Sequence, residues 1–149
     1  MQMNDSQRIP ASKRKVWEAL NNPDILKQCI PGCQSLEMTT PNEMTATVVL
    51  RVGPVKATFG GKVTLSDLDP PKGYKISGQG DGGVAGFAKG GATVKLAPKN
   101  GGTVLSYNVD AQIGGKLAQL GQRLVNGAAK KVADDFFANF ANAVNPKPA

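Results

Sequence analysis

The side chains that usually perform acid–base or metal chemistry are scarce in this chain. Its 149 residues include no histidine, which removes the usual general base near neutral pH and the commonest ligand of catalytic zinc. The only cysteines, Cys29 and Cys33, are separated by three residues around a Pro-Gly turn. This spacing is neither the C-x-x-C redox motif nor half of a zinc site. We therefore expect structural thiols, no metal and no cofactor, although Cys29 ends a predicted helix where it could contact a ligand.

The eleven carboxylates offer no acid and base pair. Most occupy turns or the polar positions of alternating segments, where solvent exposure is expected. Asp135 is the exception, because helical spacing from Leu124 and Ala128 turns it toward the interior. It could close a cavity or, on the plainer interpretation, pair with a lysine. Tyr107 could donate a hydrogen bond to a ligand, but we predict no catalytic residues.

A glycine-rich segment, Gly78-Gln79-Gly80-Asp81-Gly82-Gly83, matches the letters of the dinucleotide-binding fingerprint. That fingerprint needs a strand before it and a helix after it, whereas residues 92–96 alternate like another strand. Lys89, which precedes two glycines, likewise lacks the strand-to-helix context of a phosphate-binding loop. We interpret both segments as flexible hairpin ends and not as phosphate sites.

Alternation of apolar and polar residues from Met44 to Ile113 predicts an antiparallel sheet with one buried face. Apolar spacing and an Asn-Pro cap signal predict two short helices at residues 12–20 and 23–28. Apolar residues three and four apart predict one long helix over residues 116–143. The fold class is α+β: a curved sheet of six to seven strands wrapped around the long C-terminal helix. The predicted strands span residues 7–9, 44–52, 55–66, 74–76, 92–96 and 105–113.

Length and composition indicate one domain, which we place at residues 1–144, followed by a short tail at 145–149. Aromatic residues make up only 5% of the chain, so the large side chains that normally fill a core are few. The formal charge is +7, but the lysines are spread along the chain. We interpret them as a solvated basic surface, although docking on an acidic partner stays open. We do not expect nucleic acid as a partner.

The sequence also predicts where the protein resides. No run approaches the roughly 18 apolar residues that span a bilayer, and the first residues lack the apolar stretch of a signal peptide. We expect a cytoplasmic protein whose two cysteines stay reduced. Peripheral association with the inner face of the membrane stays open.

Successive hairpin turns must fall at opposite ends of such a sheet. One end collects turns rich in Pro and polar residues, and the other collects turns dominated by Gly, beside the start of the long helix. We predict that the glycine-rich end is a mobile mouth. Its gate residues are Gly53, Pro54, Gly82 and Gly83.

Many inward positions of the sheet and helix carry only Ala or Gly: Ala46, Ala57, Gly61, Gly78, Gly80, Ala92 and Ala111 on the sheet, and Gly121 and Ala128 on the helix. Because protein interiors pack densely, either the sheet closes tightly on the helix or a ligand fills the space between them. We predict the second, a cavity for an apolar small molecule. Its predicted lining is Trp17, Cys29, Phe59, Phe87, Val94, Tyr107, Leu117, Leu120, Leu124 and Ala128.

Several segments match a known family beyond what turn chemistry requires. Over about residues 5–142 the chain resembles the family of the carbon monoxide dehydrogenase G-subunit. The matching segments are Pro10-Ala11 before Val16-Trp17, Cys29-Ile30-Pro31-Gly32-Cys33, Gly53-Pro54-Val55-Lys56-Ala57, Leu65-Ser66-Asp67-Leu68-Asp69-Pro70-Pro71, Gly86-Phe87-Ala88-Lys89-Gly90-Gly91 and Gly115-Lys116-Leu117-Ala118-Gln119-Leu120-Gly121.

The resemblance implies the START-like helix-grip superfamily (SRPBCC), in which a sheet wraps a C-terminal helix around a hydrophobic pocket. Members are encoded beside molybdenum-containing hydroxylases such as carbon monoxide dehydrogenase. The family is implicated in recruiting that enzyme to the membrane and in carrying a quinone. Many members have a further C-terminal segment that contacts the membrane. This chain ends at Ala149, so an anchoring role is left open.

Three functions follow as hypotheses. The leading one is a non-catalytic protein that binds a quinone or lipid-like molecule and serves a molybdenum hydroxylase, in membrane recruitment or in electron transfer to the quinone pool. The alternative is a small cyclase- or hydrolase-like enzyme that uses the same cavity. Its candidate groups would be Tyr107, Asp135, Cys29 and Lys89. The third is a basic module that docks on an acidic partner through Lys130 and Lys131.

Overall fold

The computed structural model describes residues 1–144. The predicted tail, residues 145–149, lies outside this range. The strands are β1 (Gln2–Ile9), β2 (Cys33–Thr40), β3 (Glu43–Val52), β4 (Val55–Asp69), β5 (Gly73–Asp81), β6 (Phe87–Lys99) and β7 (Gly102–Gly114). The helices are α1 (Lys13–Leu20), α2 (Pro23–Cys29), α3 (Lys116–Gln119) and α4 (Gln122–Val144), and a 3₁₀ turn spans Gly83–Ala85.

The seven strands form one antiparallel sheet in the order β1-β7-β6-β5-β4-β3-β2. Strands β2 to β7 are a meander, and β1 pairs with β7 at the far edge. The alternation in β4 and β7 places one set of side chains toward the helices and the other toward solvent. Together with the long C-terminal helix and two short N-terminal helices, this confirms the predicted α+β helix-grip fold.

Both short helices begin at a capping side chain, of which only Asn22 was predicted from the sequence. The Ser12 hydroxyl accepts a hydrogen bond from the Lys15 backbone N–H at 3.3 Å, and the Asn22 side chain accepts one from the Asp24 N–H at 3.0 Å. Each bond satisfies a backbone donor that has no partner inside its helix. Pro23 occupies the first helical position of α2, where its missing N–H costs nothing. The observed helices differ from the predicted ones by one residue at an end.

The edges of the sheet differ from the prediction. Strand β1 begins at Gln2 and not at residue 7, and β2 was not predicted at all. Both are edge strands whose side chains are mostly exposed, so they carry little apolar alternation. Their backbones still pair along most of their length with β7 and β3. Backbone hydrogen bonding extends a strand without any hydrophobic signal in the sequence.

The C-terminal helix is broken, whereas one helix was predicted over residues 116–143. Gly121 has a φ of +95°, in the left-handed region that glycine adopts without strain. The N–H groups of Leu120 and Gly121 donate to the carbonyls of Leu117 and Ala118 at 3.2 and 3.3 Å. These three-residue bonds tighten and end α3. Helix α4 then starts at Gln122 and forms the long wall of the interior.

One end of the interior is densely filled. It lies between α1, α2, the C-terminal part of α4 and the end of the sheet nearest the proline-rich turns. The Thr103 hydroxyl, fully buried, donates to the Ala11 carbonyl at 2.8 Å and ties β7 to the segment before α1. We call this region the closed half; its buried apolar residues are Ile9, Val16, Ala19, Leu20, Leu26, Cys29, Leu65, Tyr74, Val94, Leu96, Leu105, Tyr107, Phe140 and Val144.

Candidate functional site

Residues paired across the strands form rows on the inner face, and their size falls toward the glycine-rich end. In the closed half, one row is Tyr74, Val94 and Tyr107, all buried. The next row is Leu65, Ile76, Ala92 and Val109. The third row is Val63, Gly78, Gly90 and Ala111, and the fourth is Ala46, Gly61, Gly80, Ala88 and Ile113. The first two rows therefore carry mostly large side chains, whereas the third and fourth consist mainly of Gly and Ala.

Helix α4 shows the same gradient on the side that faces the sheet. Near its C-terminus, Phe140 and Val144 are fully buried. Near its N-terminus the corresponding positions are small or β-branched and remain partly exposed to solvent. We call the space between these two walls the open half; its partly exposed lining is Ala46, Gly61, Gly78, Gly80, Ala88, Gly90, Ala111 and Ile113 on the sheet and Val125, Ala128, Ala129 and Val132 on α4.

Large side chains are concentrated in the closed half. Trp17 meets Tyr74 edge to face with ring centroids 5.4 Å apart, and Tyr107 stacks on Phe137 at 5.3 Å. Phe136 contacts both Phe137 and Phe140 at 5.1 and 5.6 Å. Six of the eight aromatic residues of the chain are in this cluster: Trp17, Tyr74, Tyr107, Phe136, Phe137 and Phe140. Such contacts exclude water and leave the open half without large side chains to fill it.

Four of the ten predicted lining residues lie in or against the closed half: Trp17, Cys29, Val94 and Tyr107. Cys29 is 1% exposed, and burial raises the pKa of its thiol. Its backbone carbonyl accepts a hydrogen bond from the Asn139 side chain at 3.1 Å, which ties α2 to α4. These residues act as core in this structure, with their inward faces already occupied by protein.

Tyr107 has its polar neighbours at the edge of the sheet. Burial raises the pKa of the Tyr107 hydroxyl, and the nearby carboxylates of Asp5 and Asp134 raise it further, while Lys130 and Gln7 lower it. Asp5 lies opposite Tyr107 on β1. The hydroxyl therefore faces protein groups between β1 and α4. Its predicted hydrogen bond to a ligand stays a prediction.

The other predicted lining residues lie toward the mouth. The Phe59 ring lies against Gly82, close enough that a Cβ there would be 2.5 Å from it. Leu117 is buried beneath the 3₁₀ turn, and Leu120 is half-buried at the break between α3 and α4. Leu124 lies beside Gly53, with its Cδ1 3.6 Å from where a Cβ would be. Phe59, Leu117, Leu120, Leu124 and Ala128 thus surround the end of the interior that holds the predicted gate.

Phe87 lies on the opposite side of the sheet from the interior. It pairs with Gly114, while the next residue, Ala88, is the one on the inner face. The Phe87 ring covers the Gly114 backbone, where a Cβ would be only 2.2 Å from it. Strand β6 starts five residues before the predicted strand, so the prediction did not assign a face of the sheet to Phe87. Phe87 is therefore placed outside the interior by the register.

The predicted gate residues do gather at one end. Gly53 and Pro54 form the turn between β3 and β4, and Gly82 and Gly83 begin the 3₁₀ turn between β5 and β6. Gly86 approaches the β7 terminus so closely that a Cβ on it would be 2.1 Å from a backbone oxygen. These turns, the end of β7 and the start of α4 form one surface, which we call the mouth: residues 51–56, 81–89 and 114–124.

Asp135, Lys130 and Lys131, which were candidates from the sequence, form ion pairs within α4. The Lys131 ammonium lies 2.7 Å from the Asp135 carboxylate, as the plainer interpretation of Asp135 predicted. Lys130 pairs with Asp134 at 2.8 Å in the same i,i+4 geometry. The pKa of each lysine is raised, first by that hydrogen bond. Both cysteine thiols are free.

A polar depression lies outside the interior. It measures about 450 Å³ on the outer face of the sheet, over strands β2 to β5, and is open to solvent. Its lining includes Glu37, Lys62, Gln79 and Asp81, so it is polar where the interior is apolar. We take the open half as the candidate site because the ligand predicted from the sequence is apolar and would need apolar walls.

Six residues of the open half's walls are among the small inward residues that the sequence indicates: Ala46, Gly61, Gly78, Gly80, Ala111 and Ala128. Ala88 and Ile113 on the sheet, and Val125, Ala129 and Val132 on α4, were not among the predicted lining. The sequence did contain a signal for Ala88. If the alternation of Val94 and Ala92 is extended toward the N-terminus through Gly91 and Gly90, Ala88 falls on the inner face.

The sheet, its single long helix and the space between them define a helix-grip domain. The chain belongs to the carbon monoxide dehydrogenase G-subunit (CoxG) family, whose model matches residues 6–145. It is similar to a conserved protein from Geobacillus kaustophilus, with 33% identity over 97% of this chain and 95% of that one and a TM-score of 0.91. No protein of curated function matches it significantly in sequence.

More distant structures show the same fold. Ara h 8.0201 is 18% identical over 99% of both chains, with a TM-score of 0.70. The di-domain ARO/CYC BexL from the BE-7585A biosynthetic pathway is 14% identical over 99% of this chain and 51% of its own, with a TM-score of 0.69. Among residues 1–144, no helix is both long and apolar enough to cross a membrane.

Proposed function

We propose that this protein is a non-catalytic binding protein for an apolar small molecule, a quinone or lipid-like compound, held in the open half. The observation that carries the proposal is the pair of facing walls whose apolar residues stay partly exposed although they point inward. Exposed apolar surface between two structural elements is unfavourable until something covers it. A flat or flexible apolar ligand would cover it without help from charged groups.

The proposed biological partner is carbon monoxide dehydrogenase or a related molybdenum hydroxylase. Support comes from the family, which is named for a component of that enzyme. In this proposal the protein is an accessory that aids membrane recruitment of the enzyme or electron transfer to the quinone pool. It would act in the cytoplasm and at the inner face of the membrane. The third hypothesis, docking through Lys130 and Lys131, has weaker support because both lysines are already paired with carboxylates.

The enzymatic alternative lacks a suitably placed catalytic acid and base among its candidate residues. The ARO/CYC relationship is one of fold alone at 14% identity. Asp135 is paired with Lys131, and the Cys29 thiol is buried among core residues with its pKa raised, which disfavours the reactive thiolate. Lys89 alternates with Ala88, which places it on the outer face. No acid and base among these candidates share the open half.

The test is to find and then displace a bound molecule. Mass spectrometry of organic extracts of the purified protein should show an apolar compound, and the protein should bind decylubiquinone in solution. Ala128→Phe places a ring in the open half and should weaken decylubiquinone binding at least tenfold. Ala138→Phe adds the same ring on an exposed position of α4 and should leave binding unchanged.

Two results would contradict the proposal. One is repeated failure to extract or bind any apolar compound with correctly folded protein. The other is equal binding by both phenylalanine variants, which would put the ligand somewhere other than between α4 and the sheet. Circular dichroism of each variant controls for folding.

A further inference from the structure

The polar depression on the outer face of the sheet has the size of a binding site. Its volume of about 450 Å³ lies within the range of small-molecule pockets. It crosses the four strands β2 to β5, a width of about 14 Å at the usual spacing of neighbouring strands. We call it the outer trough; its main polar side chains are Glu37, Thr45, Thr47, Lys62, Gln79 and Asp81. The sheet lies between this trough and the open half.

Strand pairing arranges the residues of the outer trough in two rows. The first row is Glu37, Thr45, Lys62 and Gln79. The second row contains Thr47, Gly60 and Asp81. Threonine and glycine are shorter than the Glu, Lys and Gln side chains around them. The short residues therefore form the floor of the trough, and the long ones form its rim.

Gly60, on that floor, has no structural explanation in its surroundings. Glycine weakens the interior of a strand, and where it occurs there it often marks the close approach of a ligand or of another backbone. A Cβ on Gly60 would meet nothing within 4 Å, whereas a Cβ on the adjacent Gly61 would be 3.2 Å from the Gln79 carbonyl oxygen. No group among residues 1–144 thus requires glycine at position 60. Its bare backbone leaves the floor of the trough open to a ligand.

The polar groups of the trough are largely free to bind a ligand. Within residues 1–144, the side chains of Glu37, Thr45, Thr47 and Gln79 make no hydrogen bond to protein. Hydroxyl and amide side chains both donate and accept hydrogen bonds, whereas the Lys62 ammonium only donates. A ligand that matches this set must offer donors and acceptors at several positions, as a molecule with many hydroxyl groups does.

The charges of the trough disfavour an anionic ligand. The Lys62 ammonium is already 3.4 Å from the Glu43 carboxylate. Glu37 takes part in no salt bridge within the described part of the chain, and the Asp81 carboxylate accepts only the Gly83 N–H, at 2.8 Å. Two uncompensated carboxylates would repel a phosphate or a carboxylate. A polyamine fits no better, because it has no acceptor for the threonine hydroxyls or for Lys62.

An aromatic ring continues the second row. Phe87 pairs with Asp81 and lies on the same outer face of the sheet. Its ring covers the Gly114 backbone and is 47% exposed. The face of an aromatic ring carries partial negative charge, which attracts polarised C–H groups such as those of a sugar ring. An exposed ring beside a trough of hydroxyl and amide groups therefore favours a sugar over other neutral polar molecules.

We propose that the outer trough binds a short neutral saccharide. Sugar rings lie over Gly60 and exchange hydrogen bonds with the threonine hydroxyls, Lys62 and Gln79, while a further ring stacks on Phe87. Because a shallow site covers only one side of its ligand, the expected affinity is weak, in the millimolar range. The inference goes beyond the proposed function, since the two ligands would occupy opposite faces of the sheet.

Nuclear magnetic resonance titration of the isotope-labelled protein tests the ligand class. The neutral probes are maltotriose, cellotriose and chitotriose, and at least one should shift the backbone amide signals of residues 45–47, 60–62 and 79–81. Trigalacturonate, an anionic trisaccharide, and spermidine, a polycation, should each bind at least tenfold more weakly. Glu37→Gln removes one carboxylate and should narrow the difference between the neutral trisaccharide and trigalacturonate.

Substitutions test the position of the site. Gly60→Val fills the floor where the structure has room for a side chain, so the protein should stay folded and lose at least tenfold in affinity. The matched control, Ser106→Val, adds the same side chain at an exposed position on the outer face of β7 and should leave binding unchanged. Phe87→Leu keeps apolar cover over Gly114 but removes the ring, and should lose about fivefold, whereas Phe87→Tyr should not. Circular dichroism of each variant checks its folding.

The outcomes separate this inference from the proposed function. No shift with any of the three neutral trisaccharides would overturn it, as would equal binding by Gly60→Val and Ser106→Val. Tighter binding of trigalacturonate or spermidine would assign the trough to a charged ligand and would also overturn it. Decylubiquinone binding reports on the open half alone. A protein that binds decylubiquinone but no saccharide would retain the proposed function and lose this inference.

Discussion

The two ends of the interior are built by the same sheet and the same helix but from different side chains. In the closed half, paired rows carry Tyr74, Val94 and Tyr107 against Phe140 of α4. In the open half, the same strands carry Gly80 and Ala88 at the equivalent inward positions. The sheet and α4 are shared, so the difference in filling comes from the volume of their side chains and from α1 and α2, which cover only the closed half.

This difference in side-chain volume assigns stability mainly to the closed half and ligand binding to the open half. Buried aromatic clusters contribute the hydrophobic and dispersion energy that keeps a small domain folded. Walls of Gly and Ala contribute little of either and keep their apolar surface available. Asn139 and Thr103 add hydrogen bonds to the closed half, where α2 and the segment before α1 close it. The closed half can therefore hold the fold while the open half stays free to take a ligand.

Truncating the centre of the closed half should have the largest effect. The Phe140 side chain has no solvent exposure and stacks on Phe136 at 5.6 Å. Phe140→Ala should lower the free energy of unfolding by about 3–5 kcal/mol, measured by urea denaturation. Leu124→Ala, at the mouth, should cost less than about 1 kcal/mol. Equal costs would mean that the two halves are equally well packed.

High pH should destabilise the closed half through Tyr74. Burial raises the pKa of its hydroxyl from 10.0 to about 12. Below pH 10 both the folded and the unfolded states hold this proton; between pH 10 and 12 only the unfolded state loses it, so stability falls as pH rises. The two-unit difference corresponds to about 3 kcal/mol by pH 12.

Tyr74→Phe isolates that contribution. The variant keeps the ring against Trp17 but cannot ionise, so its stability should fall less steeply than that of the unmodified protein above pH 10. Stability curves from urea denaturation at pH 9, 10 and 11 give the comparison. Parallel curves would show that water reaches Tyr74 and that this half is less closed than its burial indicates.

Much of the fold could be predicted because its signals are local. Alternation marked the inner faces of β4 and β7, apolar spacing marked α1, and the Asn22 cap marked the start of α2. Strand β2 and the N-terminal part of β1 carry no such signal, since their exposed side chains do not record the backbone pairing that holds them. The break at Gly121 depends on a backbone conformation that helical spacing does not reveal.

The candidate site could be predicted only in part, for a related reason. Alternation shows which face of a strand a residue occupies but not how far along the strand the helix covers it. Val94 and Tyr107 were rightly expected on the inner face, yet they lie where α4 and its aromatic residues already fill the space. Phe87 was predicted as lining at the glycine-rich turns that gate entry, but one residue of register decides its face and places it outside.

Adding volume should affect the two halves in opposite ways. Ala19 is 5% exposed in the closed half, so Ala19→Leu should overpack the core and cost about 1–3 kcal/mol. Ala88 faces the open half and remains partly exposed. Ala88→Leu should leave stability unchanged or raise it, while weakening decylubiquinone binding. Urea denaturation and a binding titration on both variants measure the contrast; a loss of stability at Ala88 similar to that at Ala19 would contradict an open groove.

The smallest expected effect distinguishes two kinds of glycine on the same inner face. At Gly90 a Cβ would be 2.2 Å from the Asp110 carbonyl oxygen, so the close approach of β7 requires glycine there. At Gly80 the nearest atom to a Cβ would be 3.9 Å away, on Phe59. Gly80→Ala should therefore change stability by less than about 1 kcal/mol, in the stabilising direction because it restricts the unfolded chain, whereas Gly90→Ala should destabilise by more. If urea denaturation showed equal losses for both, close backbone contact would explain Gly80 as well, and the lack of side chains in the open half would reflect tight packing and not space for a ligand.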